Sequence, residues 1–322
     1  MVSSTQLVLP NACLSLISLW SLASPVLGLT THYNRQSLNS RQVPYQALIV
    51  ASGSTFLQET NGVWQLIDAT GDGVPDLAYI KTVATGTESV EVHIASSSSN
   101  FQTRIFAGAS TFYEGLSNGT WLLVPSSASL LPDLAFIKTR NTPTGRVEVH
   151  IASGASSYKT QILGTTTVFR NDNNGVWTLY DYDGDGILDL VYIKTRDTAS
   201  GRVEVHVASG ASGYGQLTLV TSTTFLPENF GLWSLAPYSS PGAADLVYIK
   251  DASTPSGQVE VHIASQSSGY QTRPLESGSV FGEETDGVWS LIDYNRDGRP
   301  DLTFIRYRDA ASGTVEVHVA AG

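Results

Sequence analysis

Thiol chemistry is almost missing from this chain: of 322 residues, one is cysteine, Cys13, and one is methionine, Met1. Beyond those positions there is no cysteine to ligate a metal, act as a nucleophile or form a disulfide. Basic side chains are also scarce, with 18 Lys and Arg against 29 Asp and Glu and a net charge of −11. That balance argues against a nucleic-acid partner, whose phosphate backbone is held by basic patches. No window carries a helical apolar stripe. Phosphate-cradling glycine loops, the HExxH helix and the nucleophile elbow are lacking too. Hydrophobic residues nonetheless make up 41% of the chain and charged residues 15%, a globular composition.

The first basic residue is Arg35, and residues 14–22 form a short apolar run too brief to cross a bilayer. Val26 and Gly28 suit the −3 and −1 positions of a signal-peptidase site. We therefore expect a signal peptide over 1–28, a polar leader over 29–44 and a single domain over 45–322. The protein would enter the secretory pathway or the extracellular space, with no membrane span left after cleavage. His32, Tyr33 and Arg35 would lie in the leader.

What the chain has in abundance is self-similarity. Trp64, Trp121, Trp177, Trp233 and Trp289 are spaced by 57, 56, 56 and 56 residues, and His93, His150, His206, His262 and His318 keep the same spacing. Each unit reads as four short strands: a Trp-x-Leu strand, an Asp-Leu-Val-Tyr-Ile-Lys strand, a Val-Glu-Val-His-Val strand, and a fourth starting at Phe101, Tyr158, Tyr214 or Tyr270. Five units of four strands predict an all-β fold, a five-bladed β-propeller. The last unit ends after its third strand, while residues 45–50 precede the first Trp strand as a spare fourth strand. The N-terminal segment is thus expected to close the ring and remove two sheet edges.

The loops after the Trp strands carry oxygen donors at alternate positions. Blade three offers Asp181, Asp183, Asp185 and Asp189; blade five Asp293, Asn295, Asp297 and Asp301; blade one Asp68, Thr70, Asp72 and Asp76. Hard oxygens converging in a glycine-permitted turn suit Ca²⁺, although Asp side chains can also simply cap such a turn. Blades two and four have lost the pattern, keeping only Asp133 and Asp245. We expect structural Ca²⁺ and no organic cofactor.

On the second and third strands, Lys81, Lys138, Lys194, Lys250 and Arg306 recur with Glu91, Glu148, Glu204, Glu260, Glu316 and the repeat histidines. Period-2 alternation puts each Glu and His on one strand face, and hairpin pairing sets Lys81 and Tyr79 opposite Glu91 and His93. A Glu–His pair can act as acid and base, but fivefold repetition points instead to a polar lock between blades. The units disagree most in the loops entering the Trp strands, around residues 57–60, 113–116, 170–173, 226–230 and 282–285. These are expected to gather at one mouth of the channel, where a unique site is sought. Asn118-Gly119-Thr120 in blade two is an N-glycosylation sequon.

The Asp-x-Asp-x-Asp-Gly-x-x-Asp-Leu loops and the blade period resemble the calcium-loop propeller repeats of the integrin α-subunit type, known as FG-GAP or VCBS repeats. That resemblance implies fold and metal, but no activity. The leader, the cysteine-free five-unit ring and the Trp-x-Leu, Tyr/Phe-Ile-Lys and Val-Glu-Val-His signatures are together similar to fungal hetero-Diels–Alderases of tropolonic sesquiterpenoid pathways. This second resemblance implies a cofactor-free pericyclase joining a tropolone-derived ortho-quinone methide to a humulene-type alkene, small-molecule polyketide and terpene partners held in register. A hydrogen-bond donor to the quinone-methide carbonyl would come by position from Arg170, Tyr113, or a channel-facing Tyr180, Tyr182, Tyr238 or Tyr294. At the level of the ring the chain also looks like fungal propeller lectins, in which repeated aromatic clefts bind glycans with avidity. Composition and spacing alone favour that binding module; the whole-chain resemblance favours the enzyme.

Overall fold

A computed structural model describes residues 43–322, apart from residue 229. The expected signal peptide, with His32, Tyr33 and Arg35, lies outside the described residues. Alternating β-branched and polar positions, cut by Gly, Ser and Thr turns, form five four-stranded antiparallel sheets arranged as a ring. Blade one comprises Gly62–Ile67, Asp76–Lys81, Ser89–Ala95 and Arg104–Tyr113. Blade two comprises Gly119–Val124, Asp133–Lys138, Arg146–Ala152 and Gln161–Arg170. Blade three runs through Gly175–Tyr180, Asp189–Lys194, Glu204–Ala208 and Leu217–Ser222. Blade four runs through Leu232–Ala236, Asp245–Lys250, Gln258–Ala264 and Leu275–Gly282. Blade five takes Gly287–Ile292, Asp301–Arg306 and Thr314–Ala320 from the C-terminus and Leu48–Leu57 from the N-terminal side. The first strands of successive blades lie side by side, those of blades five and one included.

The core is divided among five blade interfaces. At each, the aliphatic face of one third strand meets the aromatic face of the next blade. Val90, Val92 and Ile94 pack with Trp121 and Phe136, and Val315, Val317 and Val319 close the circle on Trp64 and Tyr79. Within a blade the indole stacks on the neighbouring ring, Trp64 on Tyr79 at 4.1 Å and Trp177 on Tyr192 at 4.0 Å, and a phenylalanine from the last strand of the preceding blade, Phe56 or Phe169, stands edge-on to it. The five repeat tryptophans are only 2–4% exposed. The repeat tryptophans and the rings stacked on them are therefore core, buried rather than displayed at the surface.

Two further expectations change. The aromatic that was to begin the fourth strand instead precedes it in a buried left-handed turn, with φ of 64° at Tyr45, 61° at Phe101, 65° at Tyr158, 62° at Tyr214 and 64° at Tyr270. Each aromatic carbonyl accepts an N–H from the fourth strand of the preceding blade or, at Thr224, from the chain just beyond it. The pairs are Thr55 to Phe101, Thr111 to Tyr158, Val168 to Tyr214, Thr224 to Tyr270 and Val280 to Tyr45, at 2.8–2.9 Å. These five bonds form a complete circle around the ring, which is what such strained residues are held for. Tyr45 also donates its N–H to Ala321, so the closing strand proper starts at Leu48 rather than at Tyr45.

The Lys–Glu–His set is the second change. Lys81 pairs with Glu91 and Tyr79 with His93 in register, as alternation requires. The polar contacts, however, stay inside one blade. Each His Nε2 lies 3.0–3.3 Å from the Glu two residues earlier. The cation reaches an acid in the loop entering its own blade: Lys81 to Glu59 at 2.8 Å, Lys194 to Asp172 at 3.2 Å, Lys250 to Glu228 at 3.6 Å and Arg306 to Glu284 at 3.5 Å. The locks between blades are the apolar interfaces and the aromatic-turn bonds.

Candidate functional site

The Asp loops are built by side chains that cap their own turn. In blade three, Asp181 accepts N–H bonds from Gly184 and Gly186, Asp183 from Asp185, and Asp185 from Ile187. Gly184 and Gly186 sit at φ of 78° and 83°, where a side chain would be strained. This folding brings carboxylate oxygens of Asp181, Asp183 and Asp185 within 4.8 Å of one another, the one such acidic group found among the described residues. Three hard donors with lone pairs to spare on an exposed turn fit a Ca²⁺ ion.

The structure uses the last acid of the pattern differently. Asp189 is buried and accepts N–H bonds from Tyr182 and from Gly210, so it staples the Asp loop to the turn after the third strand. Burial pushes its carboxyl above the usual range, and the nearby Asp183 and Asp185 charges add to that. Asp76, Asp245 and Asp301 make the same staple, to Ser97, Gln266 and Gly322, and Asp133 keeps the half that holds the turn, at Gly154. Because blades two and four keep the bond to this turn without the rest of the acidic loop, this aspartate has a structural task that needs no metal. In blade one Asp68 and Asp72 cap their turn. In blade five Asp293 does likewise, and the Asn295 amide nitrogen faces Asp297.

A cleft of about 670 Å³ opens beside the blade-three loop. Its walls are Tyr182, Asp183 and Gly184 of that loop, Ser239 to Asp245 of the corresponding blade-four loop, and Ser265, Gln266 and Ser267 of the next turn. Blade four, lacking the acidic sequence, leaves the space: Pro237, Ser239 and Pro241 replace the carboxylates. Gln266 bridges the walls, its Nε2 donating to the Tyr182 carbonyl at 3.1 Å and its Oε1 accepting from Ala244 N at 2.9 Å. The Tyr270 and Tyr182 hydroxyls meet at 2.9 Å, and Tyr180 donates to the Ala243 carbonyl. Burial pushes the Tyr180 phenol up to about 12. The lining is rich in hydroxyls and carries no basic side chain. Sequence reasoning looked for the unique site among the loops entering the Trp strands and missed this cleft. Its signal was the loss of the Asp pattern beside an intact copy.

The residues proposed by position are placed elsewhere. Tyr113 and Arg170 end equivalent outer strands, both are exposed, and neither lines this cleft. Tyr180 and Tyr182 hydrogen-bond to blade four, at Ala243 and Tyr270; Tyr238 and Tyr294 pack partly buried at blade interfaces. The Asn118 amide is half-buried and donates to the Arg140 carbonyl at 3.1 Å. No helix among the described residues is long and apolar enough to cross a membrane.

No protein-family model matches the sequence, and a comparison with curated proteins gives no match either. Solved structures of similar fold include the catalytic domain of a Coprinopsis cinerea GH62 α-L-arabinofuranosidase (10% identity, TM-score 0.47, covering 86% of this chain and 98% of that one). Podospora anserina α-L-arabinofuranosidase PaAbf62A is similar at 9% identity and a TM-score of 0.49 over 87% and 98% of the two chains. A Bacteroides thetaiotaomicron endo-arabinase is similar at 8% identity and 0.47 over 84% and 97%. At this degree of similarity these likenesses carry no inference about ligand or activity.

Proposed function

We propose that the protein is a carbohydrate-binding propeller, with Ca²⁺ bracing the Asp181–Asp183–Asp185 loop and the ligand lodged in the adjoining cleft. The observation that supports this reading is the cleft's chemistry. A 670 Å³ space walled by serine hydroxyls, Tyr182 and carboxylates, with no basic side chain, suits a neutral polyhydroxylated molecule. Gln266 holds the two walls in register. Bound Ca²⁺ would offset the carboxylate charge at the rim through Asp181, Asp183 and Asp185. A glycan attached to Asn118, on the opposite end of the blades, would leave this cleft clear.

The cycloaddition reading has less to rest on. Holding a quinone methide against a humulene-type alkene calls for a largely apolar chamber, whereas the large cleft is walled by serines, Tyr182 and carboxylates, and the pocket beside Phe304, about 140 Å³ and lined in part by Glu283, Glu284 and Arg306, has room for one small ring. The test is a glycan array with and without chelator, repeated with Gln266→Ala, beside a cycloaddition assay on a generated quinone methide and humulenol. Calcium-dependent glycan binding that Gln266→Ala weakens supports the proposal. Rate or stereochemical control of the cycloaddition without glycan binding overturns it.

A further inference from the structure

At the entry to blade five, three neighbouring positions on the face opposite the Asp loops carry a combination that no other blade has. Where the chain entering blades one to four carries Leu57, Tyr113, Arg170 and Leu226, the chain passing from blade four into blade five carries Gly282, and a β-carbon built there meets nothing within 4 Å. The ring stacked on the tryptophan is Tyr79, Tyr192 or Tyr248 in blades one, three and four, but Phe304 here. The cation is Arg306 instead of lysine. Together these changes open a pocket of about 140 Å³ lined by Phe281, Gly282, Glu283, Glu284, Phe304, Arg306 and His318.

The polar atoms left in it define what it lacks. In blade one the Glu59 carboxylate receives both the Tyr79 hydroxyl, at 3.3 Å, and the Lys81 ammonium, at 2.8 Å. The corresponding Glu284 keeps only a 3.5 Å approach from Arg306 Nη2 and, among the described residues, no hydrogen bond to its carboxylate. Arg306 has a buried Nε with no partner. Blade two, which also carries a phenylalanine, Phe136, avoids this by replacing the acid with Leu116. Blade five alone combines a missing phenol hydroxyl, a retained acid and an absent covering side chain.

We propose that this pocket binds a small hydroxylated ring, whose hydroxyl takes the place of the one Phe304 lacks. The hydroxyl donates to Glu284 and accepts from the Arg306 guanidinium, while the ring lies against Phe281 and Phe304. A phenol and a pyranoside both present that chemistry. The site does not rest on the carbohydrate reading of the other cleft, which lies on the opposite face.

The test is ligand-observed NMR and calorimetry with phenol and with methyl β-glucoside, on the full chain and on Gly282→Leu, Phe304→Tyr and Glu284→Gln. The first two substitutions install residues that sister blades already carry, and unchanged melting would show that the fold is kept. Binding of either probe, weakened about tenfold or more by Gly282→Leu and Phe304→Tyr, supports the site, and the probe that binds identifies the ligand class. A comparable loss in Glu284→Gln ties the affinity to the hydroxyl rather than to ring packing. No binding of either probe, or binding that all three variants leave unchanged, overturns the proposal. Glucoside that binds only in the blade-four cleft would survive these variants and be weakened by Gln266→Ala, which separates the two sites.

Discussion

One aspartate accepts the N–H of the turn after the third strand in every blade, and the value of that bond can be isolated where no metal could contribute. Asp133 lies in blade two, which has no other acid in its loop, and its Oδ1 holds Gly154 N at 2.7 Å. Asp133→Ala should cost about 1–3 kcal/mol, the penalty for orphaning a buried donor, measured by urea unfolding and equal with and without calcium. The histidine–glutamate pairs set the response to acid. Burial favours the neutral form of His93 and lowers its pKa from 6.5, outweighing its bond to Glu91. At Glu204 and Glu316 burial pushes upward, but hydrogen bonds from Ser200 and His206, and from Ser312 and His318, prevail and lower both from 4.5. For all three the unfolded chain takes up a proton first, so stability falls as pH drops. The His93 contribution is lost as pH falls below 6.5 towards its depressed value, and the glutamate contributions as pH falls below 4.5. His93→Gln should flatten a plot of melting temperature against pH just below 6.5 and leave the carboxylate limb intact.

At the level of the element, the closing strand and the Asp loops make separable contributions. Tyr45 is fully buried and ties both blade four and the chain end, through Val280 and Ala321. Tyr45→Ala should cost about 3 kcal/mol, as for other large-to-small core changes. A chain starting at residue 58 would expose the outer edge of Thr314–Ala320 and should associate, which light scattering would reveal. For the metal loop, a ligand present at about 100 times its dissociation constant adds about 2.7 kcal/mol of stability. Chelation should therefore lower the melting temperature of the native chain and leave that of Asp183→Asn unmoved. Equal melting curves for the native chain with and without chelator would remove calcium from the proposal.

The whole molecule is symmetric in its core and asymmetric at its surface. Five interfaces of equivalent composition hold the ring, yet the large cleft lies between one particular pair of loops, the acidic loop of blade three and the blade-four loop that has lost its carboxylates. Glycan binding should accordingly saturate at one ligand per chain in calorimetry, whereas repeated aromatic clefts would give several. A stoichiometry near five would contradict the placement in the blade-four cleft.

The sequence by itself determined the number of blades, the strands within them and the closure of the ring. Those follow from residue-type periodicity, which is written along the chain: Trp64 and its four copies can keep a common period only if each does the same thing in the same environment. The pairing of Lys81 with Glu91 followed just as directly from alternation along two adjacent strands. Only the tertiary structure decided which faces were covered. Whether Trp64 was a sugar platform or core depended on Val315, Val317 and Val319, more than 250 residues away. The left-handed turns at Tyr45 and its copies, and the stapling role of Asp189, were likewise invisible, because both depend on a backbone group contributed by another strand or blade. The two cavities are spaces left where side chains differ between neighbouring or equivalent loops, and a space has a shape only once the ring has closed around it.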